Sequence, residues 1–196
     1  ACVRRERGAG VGAAAIDRWS APAVDTMATV FSAATSGDVD RLLEACELFE
    51  FESDETPPDV ACRCAALHIL ANVVKGDLNS ARFVWKRVPQ EMREAAPELQ
   101  AAWALGQALW RADLPAFYAA LGTYEWSSEA AAVVPAVREA VRARQLALLS
   151  RAYTKIEATE AAKFLGVEAA EAATMCTDAG WSVDGEFLVP GSASGG

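Results

Sequence analysis

Histidine is almost missing from this sequence: its 196 residues hold one, His68. Sites built on two or more histidines are therefore excluded from this chain, the paired-histidine metalloprotease motifs among them. Ser–His–Asp or Cys–His chemistry would have to run through that one ring, which sits in the middle of an apolar helical pattern. Positive charge is also short. Against 18 Lys and Arg stand 27 Asp and Glu, for a net charge of −9. Nonspecific nucleic-acid binding and attachment to anionic membranes are poor matches for that balance. No apolar run approaches the roughly 18 residues of a membrane span. There is no GxxxxGK[ST] phosphate loop and no GxGxxG after a strand. The glycines of GAGVG (8–12) lie in a stretch without any steady period. Nothing in these residues asks for a cofactor, a metal or a small-molecule substrate.

The five cysteines, Cys2, Cys46, Cys62, Cys64 and Cys176, are odd in number and scattered. That pattern does not read as a disulfide framework and fits reduced thiols of the cytosol or nucleus. CRCAALH (62–68) imitates a metal site. However, Cys62 and Cys64 lie about 200° apart on a helix. Cys64 and His68 could share a face, yet two ligands fall short of the four of a structural zinc. Buried thiols and a hydrogen-bonded histidine are expected there.

What is present is apolar residue at helical spacing, with 53% of the chain hydrophobic. SGDVDRLL (36–43), KGDLNSARF (75–83) and RADLPAFY (111–118) share one frame: a small residue, an aspartate, Val or Leu, then apolar residues at helical intervals. The aspartates Asp38, Asp77 and Asp113 are 39 and 36 residues apart. Helical-hairpin repeats have periods of about 34 to the mid-forties. The small residue suits a left-handed helix end and the aspartate suits the next N-cap. Thr56 and Pro57 open a helix that ends at Gly76, and Pro97 opens another with Leu99, Trp103, Gly106 and Trp110 on one stripe. Ser127 or Ser128 opens a long helix to about Tyr153, kinked or restarted near Pro135. The aromatics Trp85, Trp103, Trp110, Tyr118 and Trp126 are expected in the core. Arg138, Arg142, Arg144 and Arg151 are expected on a solvated face.

The chain changes character after residue 153. Helices over 159–165 and 168–178 flank a turn at Gly166, and WSV and EFLVP flank Asp184-Gly185, the signal for a two-residue hairpin. Helix, turn, helix and hairpin make a small winged helix. Its second helix carries Glu168, Glu171 and Asp178 with no basic residue. From 154 to 196 two Lys face seven Asp and Glu (2 − 7 = −5), which repels a phosphate backbone. The fold class is thus mainly α: an antiparallel helical-repeat stack (TPR- or HEAT-like) over 27–153, then a winged helix over 154–190. Residues 1–26 are expected to be a flexible extension or sequence upstream of the natural start, the first methionine being Met27, and 191–196 a flexible tail.

A helical-repeat stack running into a winged helix resembles the PCI module. NSARFVWKRVP (79–89), LGQALWRADLPAFYAAL (105–121), YEWS (124–127), ALLSRAYTKI (147–156) and GWSVDGEFLVP (180–190) resemble its subfamily of small subunits. That subfamily serves the proteasome lid, the constitutive photomorphogenesis 9 signalosome and translation initiation factor 3, and the likeness points most to the signalosome branch. It implies a non-catalytic scaffold subunit, found in nucleus and cytoplasm, of the complex that removes the ubiquitin-like modifier Nedd from cullins. A subunit of the lid or initiation factor, and less so a nucleic-acid-binding winged-helix regulator, are the alternatives. The implied partners are other PCI subunits, with no nucleic acid, membrane or small molecule. Members of the family continue past the winged helix into a helix that joins a multi-subunit bundle, whereas the sequence in hand ends in GSASGG. The expected interface is the hairpin: Trp181, Ser182, Val183, Glu186, Phe187, Leu188 and Val189. In that expectation Trp181, Val183, Phe187 and Val189 pack inward, Ser182, Glu186 and Leu188 point outward, and the outer strand of the hairpin offers a free edge.

Overall fold

A computed structural model describes residues 21–52 and 56–191. Helices α1 (Ala21–Ser36), α2 (Val39–Glu52), α3 (Pro58–Lys75), α4 (Leu78–Arg87), α5 (Gln90–Ala95), α6 (Pro97–Trp110), α7 (Leu114–Thr123) and α8 (Ser128–Ala152) come first. A winged helix follows: β1 (Ile156–Glu157), α9 (Ala158–Leu165), α10 (Ala169–Asp178), β2 (Ser182–Asp184) and β3 (Phe187–Val189). No described helix is long and apolar enough to cross a membrane.

The three repeated turns form as their sequences predict. Asp38 Oδ1 accepts from the Arg41 N–H at 3.1 Å, Asp77 Oδ1 from Ser80 at 2.9 Å, and Asp113 Oδ1 from Ala116 at 3.0 Å. Each satisfies one of the donors a helix start leaves open. Two of the turns match bond for bond. Asp77 N–H donates to the Asn72 carbonyl and Gly76 N–H to Val73, while Asp113 N–H donates to Ala108 and Ala112 N–H to Leu109. These are the two bonds of a Schellman ending. Gly37 (φ 73°), Gly76 (φ 80°) and Ala112 (φ 57°) hold the left-handed position.

Helix α3 is the axis of the stack. Every residue from Cys64 to Val73 is buried, which is why this stretch shows no amphipathic period. Leu67, Ile69, Leu70 and Val73 pack with Val30 and Leu42 from the first hairpin, with Leu99 and Leu105 of α6, with Phe117 of α7, and with Val133, Val137 and Val141 of α8.

Several expectations need correction. Helix α1 begins at Ala21 and Thr26 is buried, so 21–26 do not belong to an extension. Residues 1–20 and the tail 192–196 lie outside the described residues. Helix α8 passes through Pro135 without restarting. Pro135 falls near its beginning, where a missing N–H removes one ladder bond and leaves the rest of a 25-residue helix intact. Helix α5 was not foreseen, being too short to show a period.

Of the aromatics expected in the core, Trp85, Trp103 and Trp126 pack at its margin and Trp110 lies outside it. Trp85 and Trp103 are half-buried and stacked, with centroids 5.6 Å apart and planes at 13°, and Trp110 is 54% exposed. On α6 the buried line runs through Leu99, Ala102, Leu105 and Gly106, and the two tryptophans lie along its margin.

The expected solvated arginine face also fails at two positions. Arg144 donates to the carbonyls of Val73 and Val74, both at 2.7 Å, at the C-terminal end of α3. Arg142 Nε donates to the Leu165 carbonyl of α9 at 3.0 Å. Both reach across to helix ends whose carbonyls lack intrahelical partners.

Candidate functional site

The winged helix has its own small core of Ile156, Ala161, Ala162, Leu165, Ala172, Cys176, Trp181 and Leu188, completed by Leu149 from α8. Its sheet is three-stranded and antiparallel in the order β1-β3-β2. The last strand, β3, is therefore the centre of the sheet. The earlier strand β1 covers it, through Ile156 opposite Leu188 and Glu157 opposite Phe187. The free hairpin edge is β2.

The hairpin register also differs from the one the sequence predicts. Asp184 pairs with Phe187, so the two-residue loop is Gly185-Glu186, one residue later than Asp184-Gly185. Gly185 has φ 64° at the first central position, where a type II′ turn needs glycine. Moving a two-residue loop by one residue shifts the pairing by two and leaves the faces as they were. In either register Leu188 lies on the face of Trp181 and Val183, and the expectation that grouped Phe187 and Val189 with Trp181 fails on the cross-strand pairing itself. Val183 now lies opposite Leu188, so Trp181, Val183, Leu188 and Ile156 share one face.

Of the seven residues expected at the interface, Trp181 and Leu188 are buried in the domain, Leu188 completely. The outward placement of Leu188 is thus overturned. Val183, expected to pack inward, is 54% exposed because it lies on the edge strand. Phe187 and Val189 are half-buried on the opposite face, and Ser182 and Glu186 are exposed. The pair closing a two-residue loop exchanges its N–H and C=O groups, so the next pair does not. Val183 accordingly turns its own N–H and C=O away from β3, to the outside of the sheet. Lys155 fastens this hairpin. Its ammonium donates to Asp184 Oδ2 at 2.8 Å and sits 4.2 Å from the centre of the Phe187 ring. The hydrogen bond and charge of Lys155 hold the Asp184 carboxyl below its ordinary value.

Helix α10 exposes Glu171 and Asp178, with Glu168 at its start. It offers nothing basic to a groove of DNA.

The hollow around His68 is structural in character. His68 is buried, and its Nδ1 lies 3.0 Å from Glu50 Oε1, while Arg87 donates to the other Glu50 oxygen. Burial pushes the Glu50 carboxyl upward, but the bonds and charges of His68 and Arg87 outweigh it and hold the group below its ordinary value. Cys46 and Cys64 line the same hollow of about 480 Å³. Burial pushes the Cys64 thiol up to about 12 and Cys46 higher still. Such thiols stay protonated and are not nucleophiles at neutral pH. Among the described residues no three His, Cys, Asp or Glu side chains are grouped to hold a metal.

Sequence reasoning missed the arginine ties and the Glu50 carboxylate. Contacts such as Arg144 to Val73 span some seventy positions and leave no local signal.

Three relatives are named "COP9 signalosome complex subunit 8". The one from Danio rerio is 38% identical over 144 residues, 70% of this chain and 73% of the relative. The one from Xenopus tropicalis is 38% identical over 146 residues, 74% of each. The one from Arabidopsis thaliana is 40% identical over 119 residues, 61% of this chain and 60% of the relative. The CSN8/PSMD8/EIF3K family model matches residues 64–191, from the central helix through the hairpin. With that match running through both the repeat stack and the winged helix, the chain belongs to the CSN8/PSMD8/EIF3K family.

Proposed function

We propose that this chain is a scaffold subunit of the COP9 signalosome, and that it performs no chemistry of its own. The observation that carries the reading is the likeness to signalosome subunits from fish, frog and plant across 61–74% of its length. The geometry agrees in kind. The protein is built of helix-capping turns and packed helices, its one histidine is buried against Glu50, and the thiols beside it are held protonated. Its partners are then the other PCI subunits of the complex that removes Nedd from cullins, and its place is the nucleus and cytoplasm.

Within that role we place a main contact on the open edge of β2. Val183 presents an unpaired N–H, an unpaired C=O and an exposed apolar side chain there. An edge of this kind accepts a further strand. Affinity purification of the tagged protein from its source cells, followed by mass spectrometry, tests the role. Signalosome subunits should co-purify in stoichiometric amount. Recovery of proteasome-lid or initiation-factor subunits in their place would assign the chain to a different branch of the family.

A further inference from the structure

A second surface lies on the repeat stack, away from the winged helix, where α4, α5 and α6 meet. Arg93 lies over the Trp85 ring at 5.1 Å, Trp85 stacks on Trp103 at 5.6 Å, and Arg82 lies over the Trp110 ring at 5.9 Å. Two hollows, of about 460 and 280 Å³, share Trp103 and Gln107 as a common wall. They form one continuous groove. The smaller hollow, bounded by Arg82, Trp103, Trp110 and Arg111, has room for one large side chain.

The charge of this groove opposes that of the protein. Arg63, Arg87 and Arg142 each have a carboxylate partner. Arg82, Arg93 and Arg111 have none among the described residues, in a chain where acids outnumber bases 27 to 18. The single acid lining the groove, Glu94, is tied to Gln90 at 2.7 Å. Fold stability does not require Trp110 to stand 54% exposed. Tryptophan and arginine set together on an exposed face are the residues that dominate protein interfaces.

We propose that this groove docks an acidic segment of a partner protein. The segment seats one apolar or aromatic side chain between Trp103 and Trp110 and lays its carboxylates on Arg82, Arg93 and Arg111. A protein segment fits better than a nucleic acid. Three guanidiniums on a chain of net charge −9 cannot offset repulsion along a polyanion, whereas a short acidic stretch meets only the local charge. The surface is separate from the β2 edge, and its test does not involve that edge.

A random peptide library of about 12 residues, displayed on phage, is selected against the full chain. The selected sequences should be rich in Asp and Glu around an aromatic residue or leucine. Fluorescence anisotropy of the best synthetic peptide should weaken at least about tenfold in Arg82→Gln/Arg111→Gln, and should be unaffected in Arg151→Gln. Arg82 and Arg111 are exposed, so thermal melts of the double variant should match the wild type and exclude a folding defect. A single-stranded oligonucleotide serves as the second probe. Three results would overturn the proposal: no binder selected, selected peptides that bind the double variant equally well, or an oligonucleotide bound more tightly than the best peptide.

Discussion

Arg142 on α8 donates from Nε to the carbonyl of Leu165, the last residue of α9, at 3.0 Å. This bond joins the helical stack to the winged helix. Beside it, the Tyr118 hydroxyl donates to the Phe164 carbonyl at 3.3 Å. Gly166 follows with φ 63°, and a Cβ there would lie 2.3 Å from the Tyr118 ring. Beside the packing of Leu149 from α8 into the winged-helix core, the junction is thus polar, made of one helix end, one guanidinium and one tyrosine.

Arg142→Met should loosen this junction. It leaves the last carbonyls of α9 without their charged donor, at about 1–2 kcal/mol. For a chain of this size that is a fall of roughly 2–8 °C in Tm. Hydrogen exchange should quicken over 156–189 and stay unchanged in α3. Equal quickening in both regions would show that Arg142 supports the whole fold, and the junction reading would be wrong.

Much of the architecture was legible because its signals are local. Asp38, Asp77 and Asp113 lie next to the helices they cap, and each caps as expected. Gly166 and Gly185 mark turns for the same reason. Errors arose where a short-range signal left a discrete choice open. Asp184-Gly185 and Gly185-Glu186 are both plausible two-residue loops, and the pairing of Asp184 with Phe187 selects the second. The inward placement of Phe187 and Val189 failed separately, because alternation within a strand does not say which of its faces meets Trp181, and the pairing with β2 puts Leu188 there. The tryptophans misled for another reason. Helical spacing locates a stripe to within about one residue's rotation, and Trp103 and Trp110 lie at its margin.

Ala112→Gly should stabilise the protein. Ala112 holds φ 57° in the turn where the sister repeats use Gly37 and Gly76. A left-handed L-residue costs about 1–2 kcal/mol, and glycine gives back part of that gain as greater unfolded-state entropy. The net should be about 0.5–1 kcal/mol, read as a rise of some 1–4 °C in Tm. A fall would mean that the alanine methyl packs usefully in this turn.

Glu50→Gln should lower stability at neutral pH, and the deficit should shrink in acid. The folded carboxyl titrates below its ordinary value because His68 and Arg87 favour its charged form. A depressed carboxylate contributes stability in full above its unfolded pKa, about 4.3, and loses it as pH falls through the folded value. Urea unfolding of the two proteins should therefore give midpoints well apart at pH 7 that converge toward pH 3. A constant gap across that range would show that packing of the side chain, rather than its charge, holds α2 to α3 and α4.

Val183→Pro and Leu188→Asp separate the two sides of the hairpin. Val183 directs its N–H outward, so proline there removes no bond of the β2–β3 ladder. It does remove the donor that an added strand would use, and its ring obstructs that strand's approach. The variant should melt within about 2 °C of wild type, because an exposed substitution that breaks no internal bond stays within about 0.5 kcal/mol. It should nonetheless co-purify poorly with neighbouring subunits. Leu188→Asp should behave in the opposite order. Leu188 is fully buried among Ile156, Leu165 and Trp181, and an unpaired carboxylate there should cost about 3 kcal/mol or more. The winged helix should unfold first, with partner loss as a consequence. Circular dichroism melts paired with co-purification distinguish the two routes. If Val183→Pro stays folded and still assembles with normal affinity, the β2 edge is not the contact, and the groove of Trp103 and Trp110 becomes the surface to test in its place.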